Sequence, residues 1–194
     1  MADLLDKIPP ASRDYCSGLL EQLPIEVKLV RSRVSKWGDY RFGRSHSPRI
    51  TLNEDLPPPF LLMTFIHELA HHVVQLKYGR RVAPHGKEWK HCFREMMLPL
   101  LNDEIFEAET LPLFISHMAN PKANASADQR LHRLAQNMRG DEGFVIEALA
   151  DGSRFVFRKK EYRRLHILRK RILCERLSDR RRYLFQPGTQ IQPL

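Results

Sequence analysis

The sequence predicts an α+β protein in two parts: an N-terminal domain over residues 1–138, with a small antiparallel sheet packed on helices, and a small basic all-β module over residues 139–194. Three observations carry this. Residues 25–52 hold one strictly alternating segment and two short apolar runs, the pattern of strands half buried on one side. Two later segments are helical in pattern, one apolar nearly throughout and one with apolar residues at helical spacing. From Phe144 onward, short apolar runs recur between glycines and charged residues, as in a small all-β unit. A chain of 194 residues has room for one domain with a real core and a small appendage.

In chain order, Ser12 is placed to cap a helix over Arg13–Leu23 that Pro24 ends. Ile25-Glu-Val-Lys-Leu29 alternates strictly and reads as a half-buried strand; Tyr40-Arg-Phe42 and Ile50-Thr-Leu52 follow, set apart by Gly38, Gly43 and Pro48. Pro57 to Pro59 lead into a helix from Phe60 to Tyr78, apolar on most sides and therefore buried, with Gly79 as its C-terminal cap. Gly86–Leu101 reads as an amphipathic helix, because Trp89, Phe93, Met96, Met97 and Leu100 share one face. Leu111–Met118 is a shorter helix, 120–127 a turn-rich linker, and Asp128–Met138 helical again before Gly140. In the last part, strands are expected around Phe144, Phe155–Phe157, Leu165–Ile167, Ile172–Cys174 and Tyr183–Phe185.

Charge is unevenly distributed. Residues 151–183 hold 13 Lys or Arg against 4 Asp or Glu, the whole of the net +9, and the remainder holds 19 of each sign. An anionic partner must therefore be sought at this C-terminal stretch. The longest apolar run, Phe60–Ile66, is far short of the ~20 residues that cross a bilayer. The start, MADLLDKIPPAS, lacks the charged and apolar regions of a secretion signal, so the cytoplasm is the expected compartment. Cys16, Cys92 and Cys174, odd in number and far apart, fit a reducing compartment and give no disulfide framework.

The buried helix contains His67-Glu68-Leu69-Ala70-His71. Positions i and i+4 lie on one helical face about 5–6 Å apart, so both imidazoles can reach one Zn²⁺ at ~2.0–2.1 Å. Glu68 lies one residue round and can touch a zinc-activated water without being a ligand, as the general base of a metalloprotease does. Two histidines and a glutamate in an otherwise apolar helix would each cost burial energy unless bonded or metal-paired. His72 points some 100° away, so helical spacing selects His71. A catalytic zinc needs a third protein ligand and an open position. Val74 and Lys77 stand where the metzincin pattern requires Gly and His, which excludes that subclass. His85 follows a loop with Gly79 and Pro84 and directly precedes the next helix, which makes it the first choice; Glu88 or Glu95 on that helix is the alternative.

Trp37-Gly-Asp-Tyr-Arg, Ile50-Thr-Leu-Asn53, His67-Glu-Leu-Ala-His71 and His85-Gly-Lys-Glu-Trp89 resemble the successive blocks of the SprT-like metalloprotease domain, over roughly residues 24–102. The resemblance, to the bacterial branch, implies a zincin-like fold with the small sheet packed on the H-E-x-x-H helix, one Zn²⁺ per chain on His67, His71 and His85, and Glu68 as general base. Eukaryotic relatives called Spartan cut proteins trapped on DNA. The bacterial pattern often ends in a Cys₄ zinc ribbon; here Cys174 alone resembles one of its cysteines, with Leu177 at its partner's place, so the resemblance implies a ribbon-derived module that is metal-free and held by apolar packing.

Cys16 and Cys92 read as small core residues, and Trp89 as core, while Tyr78 and His72 are both candidates for stabilising an oxyanion. Lys159, Lys160, Arg163, Arg164, Arg169, Lys170, Arg171, Arg180, Arg181 and Arg182 are interleaved with Tyr162, Leu165, Ile167 and Tyr183, and strand alternation would gather some of them on one face to track phosphates. The leading reading is thus a zinc peptidase acting on protein substrates, brought to DNA by its basic module. The rival is a nucleic-acid-binding protein with a structural, non-proteolytic zinc site, and the intact Glu68 argues against it.

Overall fold

The computed structural model describes residues 2–33, 36–43, 46–122, 128–139 and 144–194, and divides the chain into two compact units, Met1–Arg139 and Gly140–Leu194. Most of the expected 120–127 linker, and Gly140, lie outside the described residues.

The first unit begins with α1 (Ala2–Lys7), a 3₁₀ turn (Pro10–Ser12) and α2 (Arg13–Gln22). Ser12 does not cap α2 through its side chain: its hydroxyl donates to the Pro9 carbonyl at 2.6 Å, closing the preceding turn. Three strands follow, β1 (Glu26–Val30), β2 (Gly38–Gly43) and β3 (His46–Asn53), in the order β1-β3-β2. The sheet is mixed rather than antiparallel, because the hairpin of β2 and β3 inserts β3 in the middle, where it pairs parallel with β1 and antiparallel with β2. Val27 and Tyr40 both oppose Ile50, and Leu29 and Gly38 both oppose Leu52. These residues therefore share the face whose centre, Ile50 and Leu52, is fully buried. Asn53 ends β3 and is itself buried; its amide donates to the carbonyls of Arg33 and Lys36, and its backbone N–H to that of Trp37. Arg33, Lys36 and Trp37, ahead of β2, are thereby tied to the end of β3.

The long helix α3 (Pro58–Tyr78) has thirteen buried residues, as its nearly continuous apolar sequence requires. Proline suits its first turn, where a backbone N–H has no partner to lose, and Gly79 ends it at φ +62, donating to the Gln75 carbonyl. Against it packs α4 (Lys87–Met97), with Trp89, Phe93, Met96 and Met97 buried. The expected continuation to Leu101 instead tightens into a 3₁₀ turn at Leu98–Leu100, where Pro99 has no N–H to extend the helix. Two more helices close the unit, α5 (Leu111–Ala119) and α6 (Gln129–Met138), the latter capped by Asp128, which accepts from the Arg130 N–H.

The second unit is a six-stranded antiparallel sheet of β4 (Phe144–Val145), β5 (Arg154–Phe157), β6 (Lys160–Leu168), β7 (Arg171–Arg176), β8 (Arg182–Phe185) and β9 (Gln190–Pro193), in the order β4-β9-β5-β6-β7-β8. Its own core joins Ile146, Phe155, Tyr162, Ile172, Cys174, Phe185 and Ile191. Cys174 is fully buried there, and burial pushes its thiol up to about 12. Phe157 and Lys160 pair across a two-residue turn in which Arg158 and Lys159 both have positive φ; Arg169 and Arg180, in the next two turns, do so as well.

Candidate metal centre

One turn of α3 carries His67, Glu68 and His71 from the apolar interior to the floor of an open cleft. Gly79 turns the chain out of the helix. The following loop closes with the Gly86 N–H on the Ala83 carbonyl and so returns His85 to the same floor just before α4. Each of the three histidines offers a ring nitrogen within 4.8 Å of those of the other two, and His71 Nε2 faces His85 Nε2 at 3.0 Å. A tetrahedral ion with Zn–N distances near 2.0–2.1 Å holds its nitrogens about 3.3 Å apart, so small side-chain shifts complete such a site. Burial pulls His71 down to about 3, with His85 adding to it, and burial likewise lowers His67 and His85. All three rings are therefore neutral at pH 7, the form that binds a cation. This donor set, bare of carboxylates and walled by aromatic rings, suits a borderline-soft ion such as Zn²⁺.

Trp89 supplies that wall. Fully buried, it lies 4.6, 5.2 and 4.8 Å from the ring centres of His67, His71 and His85. Its core assignment from sequence stands, but periodicity gave no hint that one indole would brace three imidazoles.

Glu68 is buried beside Gly38. Burial, with Asp39 nearby, pushes its carboxyl up to about 7, against the opposing pull of the Tyr40 N–H, Arg33 and Lys36. The cleft above has a volume of about 550 Å³ and is lined by Glu68, His71 and His85 and by Gly38, Tyr40 and Phe42 of β2. Among the described residues strand β2 pairs with β3 alone, so no strand covers its other edge.

The remaining sequence candidates fall elsewhere. His72 is buried and bonded through Nδ1 to the Tyr40 hydroxyl at 3.1 Å, and Tyr78 lines a separate groove between α2, α3 and α4. Neither lines the cleft; Tyr40 does, stacked at 6.4 Å on His71. Glu88 and Glu95 also line that other groove, and neither joins the cluster of His67, His71 and His85.

The basic residues of the second unit are dispersed. Register places Arg163 and Arg182 in one cross-strand row with Arg154 and Glu175, on one face of the sheet. Arg164 points to the other face and is paired with Asp151. Lys159, Arg169 and Lys170 occupy hairpin turns, Lys160 and Arg171 the strand ends beside them, and Arg180 and Arg181 the turn before β8. Strand alternation thus gathers only part of the charge.

The family model described as SprT-like family matches residues 13–111, from α2 to the start of α5, and so contains His67, Glu68, His71 and His85. Comparison with curated proteins gives no match, and comparison with solved structures gives none.

Proposed function

Because the chain belongs to the SprT-like family, we propose that it is a zinc-dependent metallopeptidase of zincin type that hydrolyses peptide bonds in DNA-associated proteins. The observation that carries the peptidase reading is the edge of β2, uncovered by any described strand, along the same cleft that holds Glu68 and the three histidines. An extended peptide can add to that edge as a further strand, main chain to main chain, which brings its carbonyls past the cleft floor. A non-peptide substrate gains nothing from such an edge. His67, His71 and His85 would hold the ion, which supplies Lewis acidity and lowers the pKa of water. Glu68 takes the proton of the attacking water on its carboxylate and returns it to the leaving amine; a carboxyl poised near neutrality suits both transfers.

Binding to DNA is proposed for the second unit, supported by the charge of residues 151–183 and the row of Arg154, Arg163 and Arg182. The cytoplasm is the proposed compartment; all three cysteines are free thiols, and no helix among the described residues is long and apolar enough to cross a membrane.

The test is zinc content together with cleavage of casein and self-cleavage, run with and without single-stranded and duplex DNA. One zinc per chain and hydrolysis that depends on Glu68 are expected. Zinc retained with no hydrolysis under any condition would favour a nucleic-acid-binding protein with a structural metal.

A further inference from the structure

Behind the histidine trio, the first unit buries a second pair of titratable side chains. His117 near the end of α5 and Asp128 at the start of α6 are 2% and 6% exposed. His117 Nδ1 donates to Asp128 Oδ2 at 3.3 Å, while Asp128 Oδ1 accepts the Arg130 N–H at 3.2 Å, so the carboxylate is fixed from two sides. A carboxylate only accepts; the proton of His117 is therefore on Nδ1, and Nε2 keeps a lone pair. That Nε2 is buried without a partner.

His67 shows the complementary defect. Its Nδ1 is buried without a partner, and once Nε2 serves as the metal ligand, Nδ1 carries the proton. One core thus contains a buried acceptor lacking a donor and a buried donor lacking an acceptor. The end of α5 lies against the helices that carry the metal site: Phe114, one turn before His117, packs on Phe60 of α3 at 5.2 Å, and Arg94, next to the Phe93 ring that meets His67 at 5.4 Å, donates to the Met118 carbonyl at 2.7 Å.

We propose that Asp128 and His117 are positioning residues for His67, with His117 Nε2 taking up the Nδ1–H of His67 directly or through one water. This rests on the metal-site reading above. The arrangement would fix the ring of the first ligand and raise its basicity, as carboxylate–histidine pairs do behind metal ligands. The spacing of His117 and Asp128 matches no motif, and the family resemblance assigns neither.

The test uses the full chain freed of metal, titrated with Zn²⁺ against a chelator and loaded with Co²⁺ for its visible absorption. His117→Phe should bind Zn²⁺ roughly 10- to 100-fold more weakly and shift the Co²⁺ bands. His117→Gln, whose amide can accept from His67 and donate to Asp128, should stay within about threefold of the parent. Asp128→Asn, which keeps one oxygen for the Arg130 N–H but turns an NH₂ toward His117 in place of the oxygen that accepts from it, should fall between. Zinc affinity and Co²⁺ bands unchanged in His117→Phe, with only the metal-free melting temperature lowered, would overturn the proposal and leave the pair as a brace between α5 and α6. Should His117→Phe fail to fold, unchanged readouts in Asp128→Asn overturn it equally. A parent chain that takes up neither ion would bring down the metal-site reading first, a result distinct from either.

Discussion

Gly38 of β2 and Glu68 of α3 are in such close contact that a Cβ added to the glycine would lie 2.6 Å from Glu68 Oε1 and 2.8 Å from its Cγ, with Thr64 Cγ2 at 2.7 Å. Strand and helix can approach this closely only because position 38 has no side chain. Gly38→Ala should push the carboxylate aside while leaving the three histidines in place. Zinc content should hold, hydrolysis should fall about 10²-fold, and stability should drop by about 1–3 kcal/mol. Cleavage at the parental rate would show that the position of Glu68 does not matter.

Removing the proton acceptor itself is a sharper intervention. Glu68→Gln keeps the size of the side chain and should keep fold and zinc, but hydrolysis should decline ~10²- to 10⁴-fold because an amide cannot take the proton from water. Metal analysis and the protease assay on the same preparation check it.

Ligand identity can be tested by depletion. Alanine at His67, His71 or His85 should strip the metal, whereas Glu88→Ala and Glu95→Ala should retain it, since both glutamates line the groove beside Tyr78 and Cys92. Zinc lost from Glu95→Ala but kept by His85→Ala would reassign the third ligand.

Acid should destabilise the first unit in a way that His132 reports. This ring stacks on Trp37 at 6.1 Å, and burial holds it below the usual imidazole range. The unfolded chain therefore takes up a proton near pH 6.5 that the folded chain refuses, and stability is lost as pH falls from there toward the folded value. One such group removes at most about 1.4 kcal/mol per pH unit. In the metal-free protein, His132→Phe keeps the stacking and should flatten the fall of melting temperature between pH 7 and pH 5; an identical slope would show that His132 does not titrate on unfolding.

Salt dependence measures the contribution of the arginine row. If Arg154, Arg163 and Arg182 neutralise phosphates, changing all three to Gln should weaken every duplex sequence alike and reduce the slope of log K against log salt by about 0.9 for each phosphate no longer neutralised. Fluorescence anisotropy with labelled oligonucleotides reads this directly. No affinity even at low salt would leave the row a solvated surface.

What the sequence revealed was local. The His67–His71 spacing, the Gly79 cap and the Trp89–Phe93–Met96 stripe are fixed by helical geometry within a few residues, and each appears where periodicity put it. Strand order was hidden because alternation in β1 identifies the buried face of a strand but not its neighbours, and the parallel pairing with β3 spans more than twenty residues. Helix α1 is too short to show a period, and β9 carries a single apolar residue inside its core, Ile191. His117 and Asp128 escaped notice because no helical or strand spacing links them; folding brings them together. Tyr40 was visible as a strand residue within the Trp37-Gly-Asp-Tyr-Arg block but not as a cleft residue, since that place depends on how the sheet lies on α3.

Arg158, Lys159, Arg169 and Arg180 hold a left-handed backbone that glycine or asparagine would adopt with less strain. Each of the four therefore opposes the durability of the sheet by roughly 1 kcal/mol while adding a positive charge at an exposed bend. An engineer hardening this unit against heat would choose these bends first and would, with the same substitutions, discharge it. Robustness and electrical character are tied to one set of positions and pull in opposite directions, so a heat-resistant variant made this way would also be the less cationic one.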